Sequence, residues 1–306
     1  MKRIVVAVIA AVFLAGIFSS TAQAKVAKRY RAQFIWSSEY QDGWAQDRIN
    51  QPWDALDGAR PNGLLGGNGV TVYIIDTGVG SVDCNGHGSF IASLISSEEY
   101  GIARNSTIVG VKALDCSGSG TEQNVIDAVN WVSAQANPNT SVVNMSLGGE
   151  ISARLDAAVS ALAKKMPVVV AAGNDGGNAC NQSPARVPEA ITVAAFNKWH
   201  LRSIFSDFGP CVDMWAPGEN VDGFDQYGNH INLSGTSFST ALVTASIAYI
   251  AQRDSTTTRQ AYKQLVCESS NLPIVDAYNG TKRPFVLWLK STKSKTTRSD
   301  CPFLLP

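Results

Sequence analysis

The sequence predicts a doubly wound α/β fold, a mostly parallel central sheet with helices on both faces. Three observations predict it. Stretches such as VTVYII (70–75), SVVNMS (141–146), PVVVAA (167–172) and AITVAAF (190–196) are apolar without polar alternation, as strands buried on both faces are. They alternate with helical stretches, the pattern of a sheet covered on two sides. Asp76, Ser146 to Gly149 and Gly173-Asn174 then fall at the carboxyl ends of those strands, where open α/β sheets bind ligands.

The chain of 306 residues is 45% hydrophobic and 16% charged, enough to bury one large core, and no linker-like composition break divides its middle. The N-terminus has Lys2-Arg3, an apolar run from Ile4 to Phe18, and Ala22-Gln23-Ala24. That pattern predicts a signal peptide over 1–24, cut after Ala24, and a secreted product. The run is shorter than the roughly 20 residues of a membrane span. A short N-terminal segment (25–43), a main domain (44–291) and a C-terminal tail (292–306) follow. Formal net charge is zero, so neither a nucleic acid nor, once the signal is cut, a membrane is implied as partner. The product is expected to be a monomer.

The strand 70–75 stops at Asp76-Thr77-Gly78, and a helix begins near His87 after a glycine-rich loop. A strand is expected at 108–114, then the loop CSGSG. The next helix, 121–135, puts Val125, Val129 and Val132 on one face. Another at 151–165 aligns Leu155, Val159 and Leu162 and carries two lysines in its last turn. A short strand is expected at 213–215. Asn232 to Thr236 read as a polar turn, and 236–252 as a helix apolar all round, hence buried. Ser237 stands at that helix's start, as an N-terminal cap or as something more.

Of the three histidines, His200 and His230 fall in probable turns, whereas His87 opens a helix just after Asp76. Asp76, His87 and Ser237 thus supply the parts of a nucleophilic relay. A serine hydroxyl is a weak nucleophile until a base takes its proton, and a carboxylate on the base's other nitrogen fixes the tautomer. Rival chemistries fit less well. Cys84-x-x-His87 lacks partners for a zinc site. Gly78-Val79-Gly80 lacks the third glycine of a dinucleotide loop, Asp83 standing in its place. The serine lacks the G-x-S-x-G elbow of esterases.

The motifs YIIDTG around Asp76, NGHGS around His87, SLGG at 146–149, AAGN at 171–174 and SGTS around Ser237 resemble those of the subtilases. The closest likeness is to their proteinase K and aqualysin branch, and it covers about residues 44–291. The resemblance implies a secreted serine endopeptidase acting on polypeptides through an acyl-enzyme. Ser237 would be nucleophile, His87 base and acid, Asp76 the orienting carboxylate and Asn174 an oxyanion donor. Gly118-Ser119-Gly120 and Ser146-Leu147-Gly148 would be two backbone edges that pair with an extended peptide. It also implies disulfides Cys84–Cys116 and Cys180–Cys211. Cys267 and Cys301 lie outside the likeness and are left to pair with each other. A structural Ca²⁺ would sit on the carbonyls of Pro188 and Ala190 and the carboxylate of Asp213; the chemistry itself needs no cofactor.

The sequence also departs from that family. The Asp76–His87 segment is short, so the strand at 108–114 becomes a sheet edge, which the N-terminal segment or the loop itself is expected to cover. Phe90 and Phe238 replace residues that are neighbours in the family fold and are expected to compensate as a pair. Between Ala24 and Trp44 there is room for about twenty residues, too few for a folded pro-domain. The altered flanks keep an alternative in play, a catalytically silent binding or decoy protein of the same fold.

Overall fold

The computed structural model describes residues 43–50, 56, 66–269 and 285–289, with the backbone of 29–32 and 35–36. In chain order the elements begin with β1 (Arg29–Ala32), β2 (Ile35–Trp36), α1 (Trp44–Arg48), β3 (Thr71–Asp76), α2 (His87–Ser96) and β4 (Thr107–Lys112). Next come β5 (Ser119–Thr121), α3 (Glu122–Gln135), β6 (Ser141–Met145), β7 (Leu147–Gly149), α4 (Ala153–Ala163), β8 (Val168–Ala171) and β9 (Ile191–Phe196). The rest are β10 (Met214–Pro217), β11 (Val221–Phe224), β12 (His230–Ser234), α5 (Thr236–Arg253), α6 (Thr258–Glu268) and β13 (Phe285–Val286).

Seven strands form the central sheet in the order β13-β10-β9-β8-β6-β3-β4, every neighbouring pair parallel. The doubly wound α/β fold is therefore present, its central sheet parallel throughout among the described strands. Successive side chains of β3 alternate between two cores. Val72 and Ile74 join α2 and α5 on one face. Tyr73 and Ile75 join α3 and α4 on the other, against Val125, Val129, Val132, Leu155, Val159 and Leu162. Thr121 and Ser152 cap α3 and α4 by accepting from Asn124 N–H and Leu155 N–H. α5 is buried from Thr236 to Ala251, as a helix apolar on every side must be.

Two expectations are corrected. Residues 232–234 are not a turn: they end β12, which pairs antiparallel with β11, Val221 opposite Leu233. Only Gly235 turns the chain into α5. Asn232 and Ser234 suggested a turn, but both bond across the hairpin: Asn232 Nδ2 donates to Asp222 Oδ1 and Ser234 Oγ accepts from the Asn220 N–H. The second correction concerns one arm of the expectation for β4, which does form the sheet edge as expected. The described N-terminal strands do not cover it; they pair elsewhere. The shortened loop does part of that work, with Val79 seated on Gly110, where a side chain at 110 would meet Val79 within 2.9 Å. Asn85 also donates to the Cys116 carbonyl just beyond β4.

Two smaller sheets complete the fold. β1 lies between β5 and β7, antiparallel to both, and β2 adds to the free side of β12.

Candidate active site

The chain leaves β3 first for β4 on one side and later for β6 on the other, so the sheet's topological switch point lies at β3. That is where a doubly wound sheet opens a crevice at its carboxyl ends. Asp76 closes β3 there. Its Oδ1 lies 2.8 Å from His87 Nδ1 and accepts from the Thr77 N–H at 2.7 Å, and both side chains are fully buried. Gly88 makes this approach possible, because a Cβ at that position would stand 2.0 Å from the Gly78 carbonyl oxygen.

Asp83 sets the start of α2. It accepts from the N–H groups of Asn85, Gly86 and Ser89 and from the Ser89 hydroxyl, at 2.7 to 3.0 Å. Burial alone would raise this carboxyl; the bonds from Gly86, Ser89 and Thr77 hold it below the usual carboxylate range. A carboxylate at a helix N-terminus also suits the helix dipole. His87, the helix's first residue, is thereby fixed.

Ser237 is the second residue of α5 and is no cap; Gly235 holds the cap position without a side-chain bond. The Ser237 hydroxyl donates to the Ser146 carbonyl at 3.3 Å, and Ser146 Oγ donates to the Ser237 carbonyl at 2.9 Å. Asn144 and Thr244 extend this bracing between β6 and α5. The Phe238 ring packs edge-on against Phe90, centroids 4.8 Å apart, and stands 6.0 Å from the His87 ring. The expected aromatic pair exists, and it brings the starts of α2 and α5 together.

Asn174 leaves β8 through Gly173. Its Oδ1 accepts from the Thr236 N–H at 3.0 Å and the Thr236 hydroxyl at 2.9 Å. Its Nδ2 is buried with no hydrogen-bond partner. An orphaned buried donor costs free energy unless something it binds repays it. Asp207 shapes this loop from below, accepting from the N–H groups of Asp175 and Gly177 and from Gln182. Burial pushes the Asp207 carboxyl up, against those backbone bonds. Gly173 has φ +119°, and a Cβ there would collide with Asp207.

Ser119 and Gly120 lie in β5 and Leu147 and Gly148 in β7, with Gly118 and Ser146 just ahead of each strand. Both edges face β1. Disulfides join Cys84 to Cys116 and Cys180 to Cys211. Cys267 is disulfide-bonded too, but the expected partner, Cys301, lies outside the described residues. No cluster of three His, Cys, Asp or Glu side chains occurs among the described residues. The set Pro188, Ala190 and Asp213 would escape such a count, since two of its members offer carbonyls. Asp213 Oδ2 accepts from the Thr192 N–H at 2.8 Å, which holds the carboxylate beside the Ala190 end of β9. Carboxylate and carbonyl oxygens are the donors that Ca²⁺ takes. No role was assigned to Thr236, Asp83 or Asp207 from sequence; those of Thr236 and Asp207 arise from contacts between distant segments, while that of Asp83 is a local turn at the start of α2.

A family model described as the subtilase family matches residues 76–295. An alkaline serine exoprotease A of Vibrio alginolyticus is 38% identical over 257 residues, covering 76% of this chain and 48% of the relative. An extracellular serine proteinase of a Thermus strain is 40% identical over 234 residues, covering 68% and 57%. This chain thus spans about half the length of the curated relatives it matches. The crystal structure of a cold-adapted subtilisin-like serine proteinase superposes with a TM-score of 0.75 at 38% identity, covering 80% of this chain and 97% of that one.

Proposed function

This chain belongs to the subtilase family, and on that premise we propose that it is a secreted serine endopeptidase that hydrolyses extended polypeptides through an acyl-enzyme. The observation that carries the reading is the buried Asp76–His87 contact of 2.8 Å at the helix pair that also presents Ser237. Asp76 fixes the imidazole with Nδ1 toward the carboxylate and stabilises the imidazolium as it forms. His87 takes the Ser237 proton through its other nitrogen as the hydroxyl attacks, then returns it to the leaving amine. The unpartnered Asn174 Nδ2 and the Ser237 N–H, near the start of α5, supply donors for the developing oxyanion. β5 and β7 bind the polypeptide main chain by strand addition.

The same reading includes a structural Ca²⁺ on the carbonyls of Pro188 and Ala190 and the Asp213 carboxylate; it supplies no step of the reaction. Secretion rests on the expected leader, residues 1–24, which lies outside the described residues. No helix among the described residues is long and apolar enough to cross a membrane.

The decisive experiment is active-site labelling. A fluorophosphonate should modify Ser237, and Ser237→Ala should abolish both labelling and proteolysis, a loss on the order of 10⁶ in turnover. A folded protein that digests protein substrates with Ser237 replaced would refute the assignment.

A further inference from the structure

Asn174 lies in the softest stretch of the site. Residues 173–177 read Gly-Asn-Asp-Gly-Gly, and Gly173 and Gly176 have φ of +119° and +65°. Glycines lose the most conformational freedom when a chain is ordered, so such a loop does not hold a shape by itself. An oxyanion donor has to be held, because it counts only within about 0.5 Å of its productive place. Thr236 fixes the amide of Asn174 and, by longer bonds of 3.3 and 3.4 Å, touches Gly173. The chain beyond Asn174 is held by a different residue.

That residue is Asp207. Its Oδ1 accepts from the Asp175 N–H at 3.1 Å and the Gly177 N–H at 2.7 Å. Its own N–H donates to the Gly173 carbonyl at 3.0 Å. The residues just before and just after Asn174 are thus both bonded to one fully buried residue. Asp207 is in turn moored to the central sheet. The Ser206 hydroxyl accepts from the Ala195 N–H of β9 at 2.9 Å and donates to the Asp207 carbonyl at 3.0 Å. A continuous path therefore runs from a parallel strand, through Ser206 and Asp207, to both neighbours of the oxyanion donor. Gln182 Nε2 braces it from outside, donating to Asp207 Oδ2 at 2.8 Å and to Asp175 Oδ2 at 3.0 Å.

We propose that Asp207 is a positioning residue of the hydrolytic site, one that aims Asn174 Nδ2 at the oxyanion by accepting the Asp175 and Gly177 N–H groups at a single oxygen. The inference rests on the protease reading and on Asn174 as oxyanion donor. What the loop uses is an acceptor rather than a charge. Both loop bonds end on Oδ1, which the carbonyl oxygen of an asparagine reproduces. Burial, the largest influence on this carboxyl, works against its ionised form. The charged groups acting on it are Asp175, which opposes ionisation, and Arg202, which favours it.

The test is steady-state kinetics of the full-length chain on a soluble chromogenic peptide. Asp207→Ala should lower kcat ~10- to 10²-fold, the scale of a displaced catalytic group, with KM little changed. Asp207→Asn should restore most of the wild-type kcat. In a chain already carrying Asn174→Ala, Asp207→Ala should cost little more, because the group it aims is gone. A loss as large in that background as in wild type would overturn the proposal. So would a loss borne by KM, or an Asp207→Asn chain as slow as Asp207→Ala. Should Asp207→Ala not fold, Asp207→Ser takes its place, since its hydroxyl stops one bond short of Oδ1. If Asn174→Ala alone leaves kcat unchanged, Asp207 has no donor to aim and the inference falls while the protease reading stands. A wild-type chain with neither turnover nor fluorophosphonate labelling removes the protease reading and this inference with it.

Discussion

At the scale of single residues, Asn174 is the most informative side chain. Its oxygen is committed twice to Thr236, which turns its amide nitrogen inward, buried and unpartnered. Such a donor suits charge that exists only in the transition state, so its removal should act on turnover more than on binding. For Asn174→Ala we expect kcat to fall ~10²–10³ with little change in KM, measured on a soluble peptide substrate. An equal rise in KM at unchanged kcat would instead mark Asn174 as a substrate-binding group. Asp76, His87, Asn174 and Ser237 were legible in the sequence because each stands where a regular element starts or stops beside glycine. Thr236, Asp83 and Asp207 were not. Thr236 and Asp207 act on partners 62 and 32 positions away, which no local pattern encodes; Asp83 acts within its own loop, two to six positions on, and was read only as a missing glycine.

At the scale of elements, the start of α2 depends on one carboxylate. The bonds to Asp83 hold its folded pKa below the usual range, despite burial that works to raise it. Its contribution to stability is therefore fully present above the unfolded value near ~3.9 and is lost as pH falls through the lower folded value. Asp83→Asn offers one acceptor where the carboxylate offered two. We expect it to cost ~1–3 kcal/mol at neutral pH, with the gap to wild type closing in acid; thermal melts from pH 3 to 8 would show this. A gap that widens on acidification would contradict the assignment. α5 was legible because its small and apolar residues occur on every side. β12 and α6 were not expected, since β12 owes its extended form to β11 and β2 rather than to its own letters.

For the molecule as a whole, stability has sources beyond the two cores. The calcium proposed above would stabilise the native state by mass action, about 2.7 kcal/mol at a hundredfold excess over Kd. Chelation should then lower Tm by roughly 5–10 °C, and Asp213→Ala should remove that sensitivity; a Tm indifferent to chelator would dispose of the site. The fold class was legible because parallel strands buried on both faces have a distinctive composition, whereas the places of β1 and β2 were not. Short mixed strands acquire their place only from the edges that receive them. The Cys180–Cys211 bond has a further consequence. It encloses Ile204, which is 86% exposed, and Trp199, 65% exposed, an open apolar loop that the proposed endopeptidase activity of a neighbouring copy would attack. A single nick there, whatever protease makes it, leaves both ends covalently joined, so no fragment is shed.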